Sequence, residues 1–158
     1  MTTRLERQAI VGCPPALMFT LVNHIQAYPR WFPWCDDARV LQSFVDDNGQ
    51  RVIDAELSVR LAGVSLKFST RNLVSPDHSI ELSLIDGPFE AFNGAWQFEP
   101  LGMSGCRVRL SLAFSMKQGS VVASAAKLAV GALADRLVDD FIKVAKKEMA
   151  LGEAGSAR

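Results

Sequence analysis

Residues 53–61, with the sequence IDAELSVRL, alternate apolar and polar side chains at every position. A period of two is typical of an antiparallel strand that packs one face on a core and exposes the other face to water. We therefore expect the polar side chains, Asp54 among them, to face solvent. Residues 46–49 (DDNG) before the segment and the pair Ala62-Gly63 after it have the composition of hairpin turns. The segment thus predicts an antiparallel sheet with one apolar face.

The same alternation continues on both sides of this segment. It is interrupted at residues 75–77 (SPD), 86–88 (DGP) and 100–102 (PLG), where proline and glycine break regular structure. Short turns between about seven strands are typical of a meandering antiparallel sheet. The predicted strands comprise residues 5–11, 39–45, 53–61, 64–74, 80–84, 96–99 and 107–116.

Residues 120–149 have a helical period, with apolar side chains at intervals of three and four. A helix of this length measures roughly 45 Å, whereas each strand reaches at most about 35 Å. We therefore expect the helix to cross the whole concave face of the sheet. Its predicted apolar side includes Leu128, Leu133, Leu137 and Phe141. The first half is rich in alanine and contains Gly131, which indicates either close packing on the sheet or room for a ligand.

Two short helices are expected after the first strand. Pro15 suits the first turn of a helix at residues 15–24, and a second helix at 25–28 would end at Pro29. The predicted fold class is α+β: a curved antiparallel sheet of about seven strands wrapped on a long C-terminal helix. We expect a single domain at residues 1–150 and a flexible C-terminal tail at residues 151–158.

The bulk composition narrows the classes of function. Lys and Arg total 17 and Asp and Glu total 17 among the 158 residues, so the formal net charge is zero. No whole-molecule field would steer the chain onto nucleic acid, and no DNA partner is expected. The three cysteines are far apart, which favours reduced thiols in a cytoplasmic protein. No apolar signal core or run of about 18 apolar residues is present.

Few residues in the sequence have the pattern of a catalytic or metal site. His24 and His78 are the only histidines, and both are expected at the surface. The paired aspartates at residues 36–37 and 46–47 have the context of caps and turns. Because no nucleophile motif or metal-ligand spacing occurs, we predict neither catalytic residues nor a metal site.

Two aromatic segments stand out, residues 28–35 (YPRWFPWC) and 87–96 (GPFEAFNGAW). Proline restricts its own backbone and that of the residue before it, so the rings lie on stiff connections. Phe89 and Phe92 fall at positions typical of exposed loops. Rings on such connections either plug the end of a core or line the mouth of an apolar cavity. Two independent segments of this composition make a hydrophobic gate more credible than either segment alone would.

The element order and these two segments resemble a known family. Strand, two short helices, meander and long helix is the order of the START-like helix-grip domains, also called the polyketide cyclase/lipid-transport superfamily. Residues 28–35 look like the Y-P-x-F-x-P-W-C segment of the coenzyme Q-binding proteins. Residues 87–101 resemble their G-P-F…G-x-W-x-F-x-P-L segment. Trp31 departs from this pattern, because a smaller aromatic or aliphatic residue is more common there, and a larger ring would narrow an entrance.

This resemblance implies a function of binding and delivering a polyprenyl quinone, ubiquinone, in support of respiration. No reaction is implied, and ubiquinone would be a bound ligand rather than a cofactor. Neutral groups such as Ser69, Thr70 or Asn93 would meet the quinone carbonyls. The implied ligand-binding residues come from both aromatic segments and from the apolar faces of the sheet and the helix: Trp31, Phe32, Pro33, Trp34, Phe68, Phe89, Trp96, Phe98, Leu133, Leu137 and Phe141.

The implied partners follow from this ligand and from the family's other members. Because quinone resides in the bilayer, transient contact with the inner face of the membrane is expected through Trp31, Trp34 and Phe89. The family also includes ribosome-association toxin relatives, so the alternative is binding to the large ribosomal subunit through basic residues. The candidates for that surface are Arg4, Arg7, Lys143, Lys146 and Lys147. A polyketide cyclase is a third hypothesis, which would need an acid or base group projecting into the cavity.

Overall fold

The computed structural model describes residues 2–117 and 122–156. A short 3₁₀ turn at Ile25–Ala27 links the first two helices. The helices are α1 Pro15–Asn23, α2 Tyr28–Trp31 and α3 Val122–Ser156. The strands are β1 Thr3–Val11, β2 Cys35–Val45, β3 Arg51–Leu61, β4 Val64–Ser75, β5 Ser79–Asp86, β6 Phe89–Leu101 and β7 Gly105–Met116.

The seven strands form one antiparallel sheet in the order β1-β7-β6-β5-β4-β3-β2. Strands β2 to β7 pair with one another in sequence order and so form a meander. Strand β1 pairs with β7 at the edge of this meander. The predicted DDNG turn is confirmed: the Gly49 amide donates to the Asp46 carbonyl at 3.0 Å, and Gly49 has a φ of 80°. The sequence therefore predicted both the sheet type and this hairpin correctly.

Helix α3 packs on the concave face of the sheet, as the alternation and the helix length predicted. It runs to Ser156, past the predicted end at residue 149. The predicted tail at 151–158 therefore overlaps the last turns of α3. Residues 157–158 and the predicted helix start at residue 120 lie outside the described residues. One predicted contact was wrong: Leu128 is 72% exposed, because it lies on the side of α3 away from the sheet.

Two strands begin at least four residues before their predicted starts. Strand β2 begins at Cys35, before the predicted residue 39, and strand β6 begins at Phe89. Phe89 and Phe92 are therefore buried strand residues rather than exposed loop residues. The turn before β6 requires glycine at position 87, because a Cβ atom there would lie 2.8 Å from the Cβ of Phe68. The absence of a side chain lets the turn pass against Phe68 and directs the Phe89 ring into the core.

The expectation that Asp54 faces solvent was also wrong. Only 4% of this residue is exposed, although it lies on the outer face of β3. Arg71 of the neighbouring strand donates from Nε and Nη2 to both Asp54 carboxylate oxygens at 2.9 Å, and Gln42 donates to one of them. These hydrogen bonds, above all from Arg71, lower the pKa of Asp54. The alternation correctly assigned the face, but a cross-strand cluster covers the carboxylate.

Replacing Asp54 by Asn should lower the free energy of unfolding by about 1–3 kcal/mol at pH 7, because Arg71 loses its paired carboxylate. A carboxyl group whose pKa is lower in the folded than in the unfolded protein stabilises the fold at pH values above its unfolded-state pKa. That contribution is lost as the pH falls below about 4. The difference between the two proteins in urea unfolding should therefore shrink at low pH. Asp47→Asn at the exposed hairpin tip is the control, and equal stabilities of D54N and wild type at pH 7 would contradict the prediction.

Gly131 lies inside α3 without a packing reason. A Cβ atom at this position would meet nothing within 4 Å, and Gly131 does not contact the cavity described below. Neither close packing on the sheet nor room for a ligand therefore explains this glycine. The buried alanines of the same stretch, Ala126 and Ala129, do pack towards the sheet.

We expect Gly131→Ala to raise the free energy of unfolding by about 1 kcal/mol, since alanine restricts the unfolded chain and favours the helix. Thermal and urea unfolding would measure the change. Gly49→Ala is the matched control, and it should destabilise the protein because the turn holds Gly49 at positive φ. A destabilised G131A protein would show that this position has a contact other than those described.

Candidate ligand-binding cavity

An apolar cavity lies between the concave face of the sheet and α3, and the end of α1 and the start of α2 close one side of it. Its volume is about 100 Å³. An engineered cavity of the same order, about 150 Å³, stays dry and takes up a single benzene ring. Apolar side chains from β3, β4, β5, β6, β7 and α3 form most of its wall, including Leu57, Leu66, Ile80, Phe92, Leu110, Leu112, Ala129, Val130 and Ala134.

Seven of the residues that the family resemblance implied contact this cavity. They come from the β2 connection, from three positions on the sheet and from one side of α3: Trp34, Phe68, Phe89, Trp96, Leu133, Leu137 and Phe141. On α3 these residues recur at intervals of four, so they share a face. Whether they hold a ligand stays a prediction.

The other four implied residues do not contact the cavity. Phe98 lies on the same face of β6 as Trp96, but the ring of Phe19 from α1 covers it at a centroid distance of 6.0 Å. Phe32 is buried in the aromatic cluster described next. Trp31 is half-buried and meets the His24 ring edge-on at 5.5 Å, and Pro33 is exposed. The chain leaves α2 after Trp31, which directs Phe32 and Trp34 inward and Pro33 outward.

The first aromatic segment forms a tightly packed cluster against α3. The rings of Phe32 and Trp34 stack with centroids 4.8 Å apart, and the edge of Phe141 packs against Phe32 at 4.8 Å. Phe141 also meets Trp96 edge-on at 5.5 Å. Such pairs stabilise a fold by about 0.5–1.5 kcal/mol each beyond the area they bury. The segment is therefore a core plug through Phe32, and it contributes to the cavity wall through Trp34.

A side-chain hydrogen bond fastens this cluster to α3. Trp34 donates from Nε1 to Asp140 Oδ2 at 2.9 Å, and Arg136 lies 3.8 Å from the same carboxylate oxygen. An indole N–H that enters a protein interior needs an acceptor, and Asp140 supplies it. Trp34 and Phe89 are both about 2% exposed. The expectation that they touch a membrane surface is therefore wrong for this conformation, and Trp31 is the aromatic residue of that set with exposed area.

Polar groups are few in the cavity wall, and sequence reasoning missed most of them. Thr70 contacts the cavity as the sequence suggested, but Ser69 points to the outer face and Asn93 is exposed there. Asn23, Tyr28 and Asn72 also contact the cavity and were not predicted as polar contacts. The alternation of β4 contained the signal, because Asn72 follows Phe68 and Thr70 on the same face.

Tyr28 brings a hydroxyl into this wall, but its proton is already engaged. The hydroxyl donates to the backbone carbonyl of Val22, which joins the end of α1 to α2. Burial raises the pKa of Tyr28 far above its ordinary value. The phenol is therefore neutral at physiological pH and holds the two helices together.

Charged groups do not contact the cavity among the described residues, and these residues hold no cluster of His, Cys, Asp or Glu suited to a metal ion. The thiols of Cys13, Cys35 and Cys106 are buried. Burial raises the pKa of Cys35 and of Cys106 to about 11 each, so both thiols stay protonated near neutral pH. A thiol in this state is a poor nucleophile.

The basic residues proposed for ribosome contact divide into two groups. Arg7 pairs with Asp135 of α3 at 2.6 Å, so it links strand and helix, whereas Arg4 is exposed. Lys143, Lys146 and Lys147 are exposed at intervals of three and four on α3 and therefore share one face. We refer to these three residues as the lysine face.

No helix within residues 2–117 and 122–156 combines the length and hydropathy needed to cross a bilayer.

Comparison with known proteins identifies the family. Residues 11–142 match the family model described as "Polyketide cyclase / dehydrase and lipid transport". The chain is 36% identical over 147 residues to the ribosome association toxin RatA of Pseudomonas aeruginosa, covering 93% of this chain and 98% of the relative. It is 27% identical over 113 residues to the mitochondrial coenzyme Q-binding protein COQ10 homolog B of Xenopus laevis, covering 68% of this chain and 44% of that protein.

Among solved structures, the Zhui aromatase/cyclase from a Streptomyces species superposes with a TM-score of 0.80 at 15% identity, covering 94% of this chain and 96% of that one. At this identity the likeness concerns the fold alone. Residues 11–142 match the family model, and the sheet order and the long helix across the concave face agree with that match. The chain belongs to the START-like polyketide cyclase/dehydrase and lipid transport family.

Proposed function

We propose that the protein binds a ring-containing apolar lipid of the polyprenyl quinone class between sheet and α3, and delivers it without chemical change. The observation that carries this proposal is the apolar cavity, which is walled by rings and aliphatic side chains and has no charged group among the described residues. The similarity to the Xenopus coenzyme Q-binding protein supports the ligand class. Trp31, which retains exposed area, is the proposed point of contact with the membrane where such a ligand resides.

The size of the cavity limits how much of the ligand fits without movement. A volume of about 100 Å³ is smaller than the cavity of about 150 Å³ that takes up one benzene ring. Burying hydrocarbon contributes about 0.8 kcal/mol per methylene, so two or three prenyl units would be needed to offset an association cost of about 4–15 kcal/mol. The proposal therefore requires α3 to separate from the sheet as the tail enters, past the Trp34–Asp140 hydrogen bond.

Filling the cavity tests this function directly. Leu133 contacts the cavity and is 8% exposed, so Leu133→Trp should place an indole in the ligand's space. Protein expressed in a quinone-producing host should yield quinone on solvent extraction and mass spectrometry, and L133W should retain at most about one tenth as much.

Leu128→Trp on the exposed side of the same helix is the matched control, and it should retain the wild-type amount. Circular dichroism and thermal unfolding would check that both variants fold. Background quinone in the wild-type extract would reject the proposed function, and equal quinone in L133W and wild type would reject the proposed location.

A second candidate function is association with the large ribosomal subunit. Two observations favour it: the similarity to the Pseudomonas toxin over nearly the whole length of both chains, and the lysine face on α3. Contacts between lysine and phosphate dominate the affinity of proteins for RNA and weaken as salt increases. This function would use the outer side of α3 and would place the chain in the cytoplasm, whereas lipid binding would use the inner side.

Overexpression followed by sucrose-gradient sedimentation tests this second function. Wild-type protein should sediment with large subunits and reduce the fraction of assembled ribosomes. The combined Lys143→Gln, Lys146→Gln and Lys147→Gln protein should lose this effect, because it removes three phosphate-binding cations.

A protein with Lys117→Gln and Lys127→Gln is the control, since both lysines are exposed but lie outside the lysine face. This control should sediment like wild type. An unchanged profile of the triple variant would exclude the lysine face as the contact, and wild-type protein that stays at the top of the gradient would exclude ribosome association.

A further inference from the structure

Three polar side chains in the cavity wall have no role in an interior built only for hydrocarbon. Asn23 lies at the end of α1, and Thr70 and Asn72 lie two residues apart on β4, on the face turned towards α3. We call these three residues the polar cluster because they contact the same cavity. Thr70 and Asn72 are 8% and 6% exposed. Burying an amide or hydroxyl is unfavourable unless it is hydrogen-bonded, so the polar cluster indicates a polar group on the ligand.

The hydrogen bond within the polar cluster leaves the amide donors of Asn72 and the amide oxygen of Asn23 open. Thr70 donates from Oγ1 to Asn72 Oδ1 at 2.7 Å. This bond engages the threonine proton and the carbonyl oxygen of Asn72, and it leaves the Asn72 amide N–H groups as donors. Asn23 Oδ1 is buried and accepts no hydrogen bond from the described residues. Such an orphaned acceptor is rare in native proteins, which indicates that a donor arrives from outside the chain.

We propose, as an extension of the lipid-binding function on which it rests, that the polar cluster selects the reduced, hydroxyl-bearing form of a ring lipid: a quinol or phenol. A quinol hydroxyl donates to Asn23 Oδ1, and a quinol oxygen accepts from the Asn72 amide. A quinone has only carbonyl acceptors, so it engages Asn72 and leaves Asn23 unsatisfied. The polar cluster therefore distinguishes the two forms by their hydrogen-bond donors.

The rest of the wall agrees with a neutral head group. No charged side chain among the described residues contacts the cavity, and the Tyr28 hydroxyl already donates to Val22. A lipid carboxylate or phosphate would lose its hydration without gaining a cation, which is strongly unfavourable. A phenolic hydroxyl with an unperturbed pKa near 10 stays neutral, as tyrosine does. Among ring lipids of similar shape, the chemistry thus favours the protonated, reduced form.

Calorimetric titration of the full chain with three probes tests this proposal without any mutation. All three carry the same ten-carbon tail on a dimethoxy-methyl ring: the quinone, the quinol kept under reductant, and the bis(methyl ether) of the quinol. The quinol should bind about tenfold more tightly than the ether or the quinone, the equivalent of one well-formed hydrogen bond. Equal affinities of the three probes would overturn the proposed selection.

Variants of the polar cluster then locate the effect. Asn23→Leu should lower the affinity for the quinol to that for the ether, while the ether itself binds no more weakly. Asn72→Leu should weaken the quinol, the quinone and the ether alike, because the oxygens of all three accept from the same amide, and it should keep the quinol preference. Asn93→Leu on the outer face is the matched control and should keep the quinol preference. A quinol preference that persists in N23L, or an N72L protein that binds all three probes as tightly as wild type, would reject the polar cluster. If none of the three probes bound wild-type protein, the lipid-binding function itself would fall together with this extension.

Discussion

The packing of α3 into the concave face of the sheet is the contact on which the rest of the structure depends. The helix spans 35 residues, or roughly 52 Å, so its apolar side is too long for any one strand to cover. The seven-stranded meander covers it by curving, and the aromatic cluster of Phe32, Trp34 and Phe141 fixes one part of the helix against α2. Removing this contact would expose two large apolar surfaces at once.

The cavity follows from the same contact, because α3 does not fill the curved sheet completely. Small side chains such as Ala129 and Ala134 contact the cavity from the helix, whereas large rings such as Phe89 and Trp96 contact it from the sheet. The rigid rings of the sheet do not fill the space beside the short alanine side chains, so a void remains. This void is neutral, because no charged side chain among the described residues contacts it and the buried Tyr28 hydroxyl keeps its proton. Its chemistry therefore suits recognition by shape and hydrogen bonds.

The two candidate functions use opposite sides of α3. The inner side faces the cavity, to which α1 and β4 contribute the polar cluster, and the outer side carries the lysine face. Of the relatives, one is named for ribosome association and another for coenzyme Q binding. A fold shared by such different proteins does not decide among functions, so the side chains must. Selective disruption of either side of α3 separates the two possibilities within one protein.

The sequence by itself determined the sheet type, the turn at residues 46–49 and the long helix, because hydrophobic periodicity and turn chemistry are local properties. The family resemblance implied eleven ligand-binding residues, and seven of them contact the cavity. Only the tertiary structure decided the rest. Phe98 is covered by Phe19 of a distant helix, Asp54 is buried by Arg71 of the next strand, and Leu128 lies on the outer side of α3. The open hydrogen-bonding groups of Asn23 and Asn72 were likewise invisible, since a missing partner is a property of the folded neighbourhood and not of any local pattern.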